Sequence, residues 1–197
     1  MNIVVIKYNA GNVRSVLYAL ERMGIQATLS DDHELIRKAD KVVFPGVGEA
    51  SSAMTYLKEK GLDDLIVSLR QPVLGICLGL QLMCSYSEEG DTTCLGIFPQ
   101  KVKKFVSASD KIPQIGWNDI YALKSTLFEG VQENAFVYFV HSYYAELGND
   151  TIATTDYVLP YSSALHKDNF YATQFHPEKS GDIGMQILEN FIFKINQ

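Results

Sequence analysis

The sequence predicts an α/β fold: a mostly parallel central sheet flanked by helices, with additional, largely antiparallel strands in the C-terminal half. Three observations lead there. Short β-rich apolar runs alternate with helical periods through the first hundred residues, an order that closes as a parallel sheet with helices on its faces. After Gly96 the texture changes to stretches rich in Val, Tyr, Phe and Ile separated by turn residues, as expected of antiparallel strands. No Pro/Gly/Ser linker, repeat or low-complexity tract interrupts the chain, so residues 1–197 are expected to form one domain.

The elements follow in order. Ile3 to Lys7 is a short β-rich run, and Val13, Val16, Leu17 and Leu20 set a helical period over 13–23 that Gly24 stops. Residues 26–29 predict a second strand and 35–39 a short helix. Lys41 to Phe44 predicts a third strand, ended by Pro45 and the loop Gly46-Val47-Gly48. Helices are expected over about 50–60 and 62–70, then a buried strand over 72–76. Beyond Gly96, strands are expected at 100–106, 112–121, 135–145, 151–158 and 169–175. Ile187, Leu188, Phe191, Ile192 and Ile195 have helical spacing, so 183–195 predicts a closing helix.

Composition narrows the function classes. With 197 residues, 47% of them hydrophobic and 20% charged, the chain has material for a sizeable core. A formal net charge of −6 argues against a general nucleic-acid binder, which would carry a basic stripe. No apolar run reaches the roughly 18 residues that span a bilayer, and the apolar part of the N-terminus is too short for a signal peptide. Cys77, Cys84 and Cys94 form an odd set without a C-x-x-C pair. A disulfide framework or a zinc site is therefore not expected, and the cytoplasm is the natural compartment.

One of these cysteines is placed differently from the others. Gly75-Ile76-Cys77-Leu78-Gly79 has the spacing of a nucleophile elbow, with sulfur in place of oxygen, where an apolar strand gives way to a helical pattern. A nucleophilic thiol needs a base, usually a histidine oriented by a third group. Among the four histidines, His33 sits beside three acidic residues and reads as a solvated turn. His166 falls in an expected hairpin loop, and His141 in a strand or at its end. His176 is followed by Pro177 and Glu178. In extended backbone, residues i and i+2 face the same side roughly 6.5–7 Å apart, so the Glu178 carboxylate can reach one imidazole nitrogen. Pro177 biases His176 toward that geometry. The alternatives are that Cys77 is a packed helix-start residue and His176–Glu178 a surface pair. Cys84 reads as a core residue.

The combination P-G-V-G at 45–48, G-I-C-L-G-L-Q at 75–81 and F-H-P-E at 175–178 resembles the class I, or triad, glutamine amidotransferases, over nearly the whole chain. The resemblance implies a flavodoxin-like sheet and hydrolysis of L-glutamine through a γ-glutamyl thioester, with no cofactor and no metal. It casts Cys77 as nucleophile, His176 as general base and then acid, and Glu178 as the orienting group. The oxyanion hole it implies uses the N–H groups of Leu78 and Val47, the latter after a peptide flip. Glutamine would be held by Gly48, Gln81, Glu89, Ser142 and Tyr143. As plain residues, Gln81 is also an ordinary helix position and Glu89 a solvated charge.

Further features resemble one branch of that family, the glutaminase subunits of the imidazole glycerol phosphate synthases of histidine biosynthesis. These are Y-N-A-G-N-V-R-S-V at 8–16, I-G-W-N at 115–118, Y-F-V-H-S-Y at 138–143 and H-P-E-K-S at 176–180. The likeness implies a heterodimer with a (β/α)8-barrel cyclase subunit that receives the ammonia, with Asn12, Trp117, Tyr138 and Lys179 at or near the interface. Lys7 stands where that branch carries an acidic residue, Asn9 where it carries glycine, and Gln114-Ile115 where it carries His-Met. Rival readings are the glutaminase of pyridoxal phosphate synthase, a thiol-based sensor, and a peptidase or γ-glutamyl hydrolase on the same elbow.

Overall fold

The computed structural model describes residues 1–9, 11 and 13–195; the interface expectation for Asn12 lies outside them. The first half runs β1 (Ile3–Ile6), α1 (Val13–Arg22), β2 (Thr28–Ser30), α2 (His33–Arg37), β3 (Lys41–Gly46), α3 (Ala50–Glu59), α4 (Leu62–Ser68), β4 (Val73–Cys77) and α5 (Leu78–Met83). The second half adds the short β5 (Tyr86–Ser87) and β6 (Thr92–Thr93), then β7 (Lys101–Lys104), β8 (Gln114–Ile120), β9 (Ala135–His141) and β10 (Tyr143–Ala145). It ends with β11 (Thr151–Tyr157), β12 (Leu159–Lys167), β13 (Phe170–Thr173) and α6 (Gly181–Glu189).

Among the described residues the main sheet has the order β2-β1-β3-β4-β13-β12-β10-β7-β5-β6, with β11 on the far side of β12. From β2 to β13 all pairings are parallel; β13–β12, β12–β10 and β12–β11 are antiparallel. The central parallel strands β1, β3 and β4 are buried on both faces, and alternation decides which side each residue serves. Val4, Ile6, Val42 and Phe44 pack under α3, α4 and α5. Ile3, Val5, Val43 and Leu74 pack under α1 and α6. This matches continuous apolar runs read as parallel strands.

Several expectations are corrected. Proline does not end β3, which continues through Pro45 and Gly46 with both paired to β4; Pro45 lacks only the donor that this register does not demand of it. The stretch 135–145 is two strands, because the chain turns at Ser142 and changes sheets. β8 and β9 form a separate two-stranded ribbon, while β10 joins the main sheet. His166, expected in a hairpin loop over 165–169, lies instead near the end of the nine-residue β12, and it stacks on Tyr171 with ring centroids 4.0 Å apart. His33 opens α2 rather than lying in a turn, its Nε2 2.9 Å from the Lys60 carbonyl oxygen. The closing helix ends at Glu189 and widens into a π-turn over 190–194. There the buried Lys41 ammonium donates to the carbonyls of Phe191 and Ile195, capping the helix end.

Candidate active site

The site lies at the C-terminal ends of β3, β4 and β13, where ligands gather in open α/β sheets. Cys77 ends β4 and precedes α5, with φ 54° and ψ −104°. A non-glycine residue held there costs on the order of 1–3 kcal/mol, so the surroundings must enforce it. The enforcement is visible in the packing. A Cβ on Gly79 would sit 1.9 Å from the Phe44 carbonyl oxygen, so only glycine lets the first turn of α5 lie directly on β3. Cys77 itself is buried at 6% exposure, the thiol facing one side of a cavity.

His176 follows β13 with φ −98° and ψ 95°, and Pro177–Lys179 then forms a 3₁₀ turn rather than continuing extended. This corrects the mechanism by which the pair meets, not its outcome. The turn brings Glu178 Oε1 to 2.8 Å from His176 Nδ1, both side chains being buried. The backbone is clamped: His176 N–H donates to the Tyr138 carbonyl at 2.9 Å, and the Ser180 hydroxyl donates to the His176 carbonyl at 2.6 Å. Gly184 of α6 approaches so closely that a Cβ would stand 1.9 Å from the Pro177 carbonyl oxygen. The ring's Nε2 is buried and makes no well-formed hydrogen bond, while Cys77 stands near enough to act on it. Burial works to lower the ring's pKa. The nearby charge of Cys77, with the hydrogen bond and charge of Glu178, outweighs that and raises it to about 10.

A cavity of about 260 Å³, the scale of one small amino acid, opens in front of the thiol. Val47 and Gly48 line it from the end of β3, Cys77 and Leu78 from the elbow, and Gln81 from one turn along α5. Glu89 and the Ser142–Tyr143 segment close the far side. The eight residues expected at the pocket are thus brought together. His176 and Glu178 do not line it; they lie behind Cys77 against Gly46, Val47 and Ile76. Glu89 is half-buried, its Oε2 accepting from the Ala50 N–H at 2.8 Å, and burial pushes its carboxyl above the usual range. The Val47 carbonyl accepts from Gly11 N–H at 3.1 Å, tying the loop after β3 to the loop after β1.

Two residues, His141 in this wall and Gln174 behind it, escaped the sequence reading. His141 ends β9 with Nδ1 2.7 Å from the Tyr143 carbonyl oxygen and Nε2 3.2 Å from the Tyr161 hydroxyl. Burial, against the Tyr143 hydrogen bond and with the His176 charge, drops its pKa to about 4, so it is a neutral imidazole. Gln174 is wholly buried between Cys77 and Gln81. A fully buried glutamine beside a catalytic-type histidine leaves only its position in the Q-F-H-P-E run as a sequence signal. Cys84 and Cys94 are buried thiols whose pKa burial raises, Cys94 to about 12, so neither is poised as a nucleophile. Among the described residues no group of three or more His, Cys, Asp or Glu could hold a metal ion, and no helix is long and apolar enough to cross a membrane.

Of the expected interface residues that the structure describes, Trp117 and Tyr138 lie away from the cavity on the outer face of the β8–β9 ribbon, with Lys179 beside them at the end of the 3₁₀ turn. Trp117 is 55% exposed and meets Tyr138 edge-on at 6.2 Å; the exposed Lys179 places its ammonium 5.8 Å from the Tyr138 ring centroid. Ile115 and Phe136, not anticipated, are exposed on the same ribbon.

The sequence profile described as "Glutamine amidotransferase class-I" matches residues 4–195. The chain belongs to the class-I glutamine amidotransferase family. Within it, the chain is 59% identical over 194 residues to the imidazole glycerol phosphate synthase subunit HisH of Bacteroides fragilis, covering 98% of this chain and 99% of that one. The protein of the same name from Pasteurella multocida is 43% identical over 195 residues, 98% of each. The fold matches a putative GMP synthase protein from Thermoplasma acidophilum with TM-score 0.74 at 21% identity, over 98% of this chain and 92% of that one. A solved glutamine amidotransferase matches with TM-score 0.72 at 22% identity, over 95% and 98%.

Proposed function

We propose that this chain is the glutaminase subunit of an imidazole glycerol phosphate synthase, hydrolysing L-glutamine to glutamate and ammonia and passing the ammonia to a cyclase subunit. The observation that carries the chemistry is the Cys77–His176–Glu178 constellation, a thiol at a strained strand-to-helix corner backed by an imidazole on a buried carboxylate at 2.8 Å. The name shared by relatives at 43–59% identity over nearly the full chain supports the partner and the pathway. In the cell the enzyme works in the cytoplasm, as one domain.

The Cys77 thiolate attacks the side-chain carbonyl carbon of glutamine; the C–S bond forms and the carbonyl pair moves onto oxygen. The Leu78 and Val47 N–H groups hold that oxyanion, each donor of this type contributing about 3–4 kcal/mol. His176 gives its Nε2 proton to the amide nitrogen, the C–N bond breaks, and ammonia leaves. Water then adds to the γ-glutamyl thioester as His176 takes its proton, and the thiolate departs as glutamate is released. Glu178 keeps the ring oriented and its cationic form favourable. Gln81, Glu89, Gly48, Ser142 and Tyr143 hold the amino-acid end of the substrate.

Ammonia protonated in bulk water is no longer a nucleophile, so release must be coupled to an acceptor. The exposed apolar face carrying Trp117 and Tyr138, with Lys179 at its edge, is the surface for the barrel subunit. The test is glutamine hydrolysis by the chain alone and with the cyclase and its ligand. The expected result is a rise by orders of magnitude on addition. High activity alone, indifferent to the cyclase, would overturn the synthase assignment.

A further inference from the structure

Behind the cavity, two side-chain amides run in series from the substrate wall to the nucleophile. Gln174 is held by its own backbone N–H, which donates to the Ser163 carbonyl at 2.8 Å. Its Oε1 lies 3.0 Å from Gln81 Nε2, and its Nε2 lies 3.7 Å from Cys77 Sγ. The polarity of this series is set by a group that can only accept. The Tyr143 carbonyl oxygen lies 2.9 Å from Gln81 Nε2 and 2.7 Å from His141 Nδ1, so both atoms must carry hydrogen. Gln81 therefore turns its nitrogen inward. The Gln174 atom facing that nitrogen must be the oxygen, which leaves the Gln174 N–H for the sulfur. A reversed amide would set a lone pair against the sulfur and strand the Gln81 donor.

We propose that Gln174 is a further catalytic residue: its side-chain N–H holds the Cys77 sulfur in its anionic form, while its carbonyl locks Gln81 with the oxygen of that amide free for substrate. The inference rests on the glutaminase reading above. The N–H aids the sulfur at two points in the cycle, before attack and again when the thioester C–S bond breaks and the electron pair returns to sulfur. Hydrogen bonds to a charged partner are the stronger kind, and this one is buried from water. It also makes the nucleophile and the substrate amide contact, Gln81, parts of one rigid unit.

The sulfur is faced by other groups as well: His176 with Glu178 behind it, the buried phenols of Tyr8 and Tyr161, and the neutral His141 next to them. All stay in place in two variants, Gln174→Met and Gln174→Glu. The measurements are the pH profile of Cys77 alkylation by iodoacetamide, and kcat and KM for glutamine with the cyclase present. In Gln174→Met the alkylation midpoint is expected to move up by about one pH unit, with kcat falling roughly 10- to 100-fold and KM rising. In Gln174→Glu an acceptor for Gln81 remains, so KM stays near wild type while the midpoint moves further and kcat falls more. Glutamate has the shape of glutamine, so this variant decides the matter even where the methionine variant does not fold. Alkylation profiles that coincide with wild type would overturn the inference. A wild-type complex that reacts with iodoacetamide but does not hydrolyse glutamine would instead sink the glutaminase reading and leave the Gln174–Cys77 contact to be judged by alkylation alone.

Discussion

The elbow at Cys77 and the ribbon of β8 and β9 are opposite solutions to placing function on one sheet. At the elbow every group is buried and fixed from two sides: a strained cysteine, a glycine with no room for a methyl, and an imidazole clamped through its backbone and its Nδ1. On the ribbon, Val137 and Phe139 face the core while the other face turns large apolar side chains outward, with Trp117, Ile115 and Phe136 each more than half exposed. The elbow needs nothing from elsewhere to hold its shape. The ribbon makes physical sense only when something covers it. Yet β9 belongs to both, since its Tyr138 carbonyl accepts from the His176 N–H while its aromatic ring faces the exposed surface. The clamp on His176 and the exposed apolar face therefore share one strand.

Breaking the elbow should cost most. His176→Ala is expected to lower kcat by about 10³-fold with glutamine KM little changed, read as steady-state ammonia release with the cyclase present. KM rising at constant kcat would place His176 in binding instead. Next comes Gly79→Ala, which drives a methyl into the Phe44 carbonyl; it should destabilise the fold by about 3 kcal/mol in urea unfolding. An unchanged midpoint would mean that α5 shifts freely on β3.

A pH experiment sharpens the same contrast. The folded chain holds His141 neutral down to about pH 4, whereas the unfolded chain protonates it near 6.5. The unfolded state thus binds the extra proton between those values, and stability falls as pH drops from about 6.5 to about 4, by on the order of 3 kcal/mol. His176 has the opposite sign: its pKa is raised to about 10, so its contribution is full below 6.5 and fades as pH rises toward 10. Urea unfolding of wild type and His141→Asn at about pH 7, 5.5 and 4.5 checks the acid side. The variant should lose less stability than wild type; parallel losses would show that His141 is not the group responsible.

The ribbon should be the gentlest to break. Trp117→Ala is expected to weaken cyclase binding about tenfold, seen by calorimetry, while fold stability stays within about 0.5 kcal/mol. Unaltered binding would move the interface off this face.

What the sequence made legible follows the same divide. Continuous apolar runs such as Ile3–Ile6 and Val73–Ile76 could only be buried parallel strands, and the elbow glycines flagged a corner at Cys77. Periodicity failed where tertiary pairing decides. β12 mixes Tyr, Ser, Ala, Leu and His with no clear alternation, because it is buried between β11 and β13 by pairing rather than by pattern. The switch of sheets at Ser142 has no glycine or proline to announce it. Pro45 reads as a strand end, yet β3 runs on past it. Gln174 and His141 were missed because a buried polar side chain is recognisable only by its partners, which come from strands far apart in sequence.

The most direct measurement is on the thiol itself: acid quench of the complex during glutamine turnover, followed by peptide mass spectrometry. A γ-glutamyl adduct is expected on the peptide carrying Cys77, with both adduct and ammonia release lost in Cys77→Ala. Ammonia release that survives that substitution, or an adduct on a different side chain, would contradict the thiol's role as nucleophile.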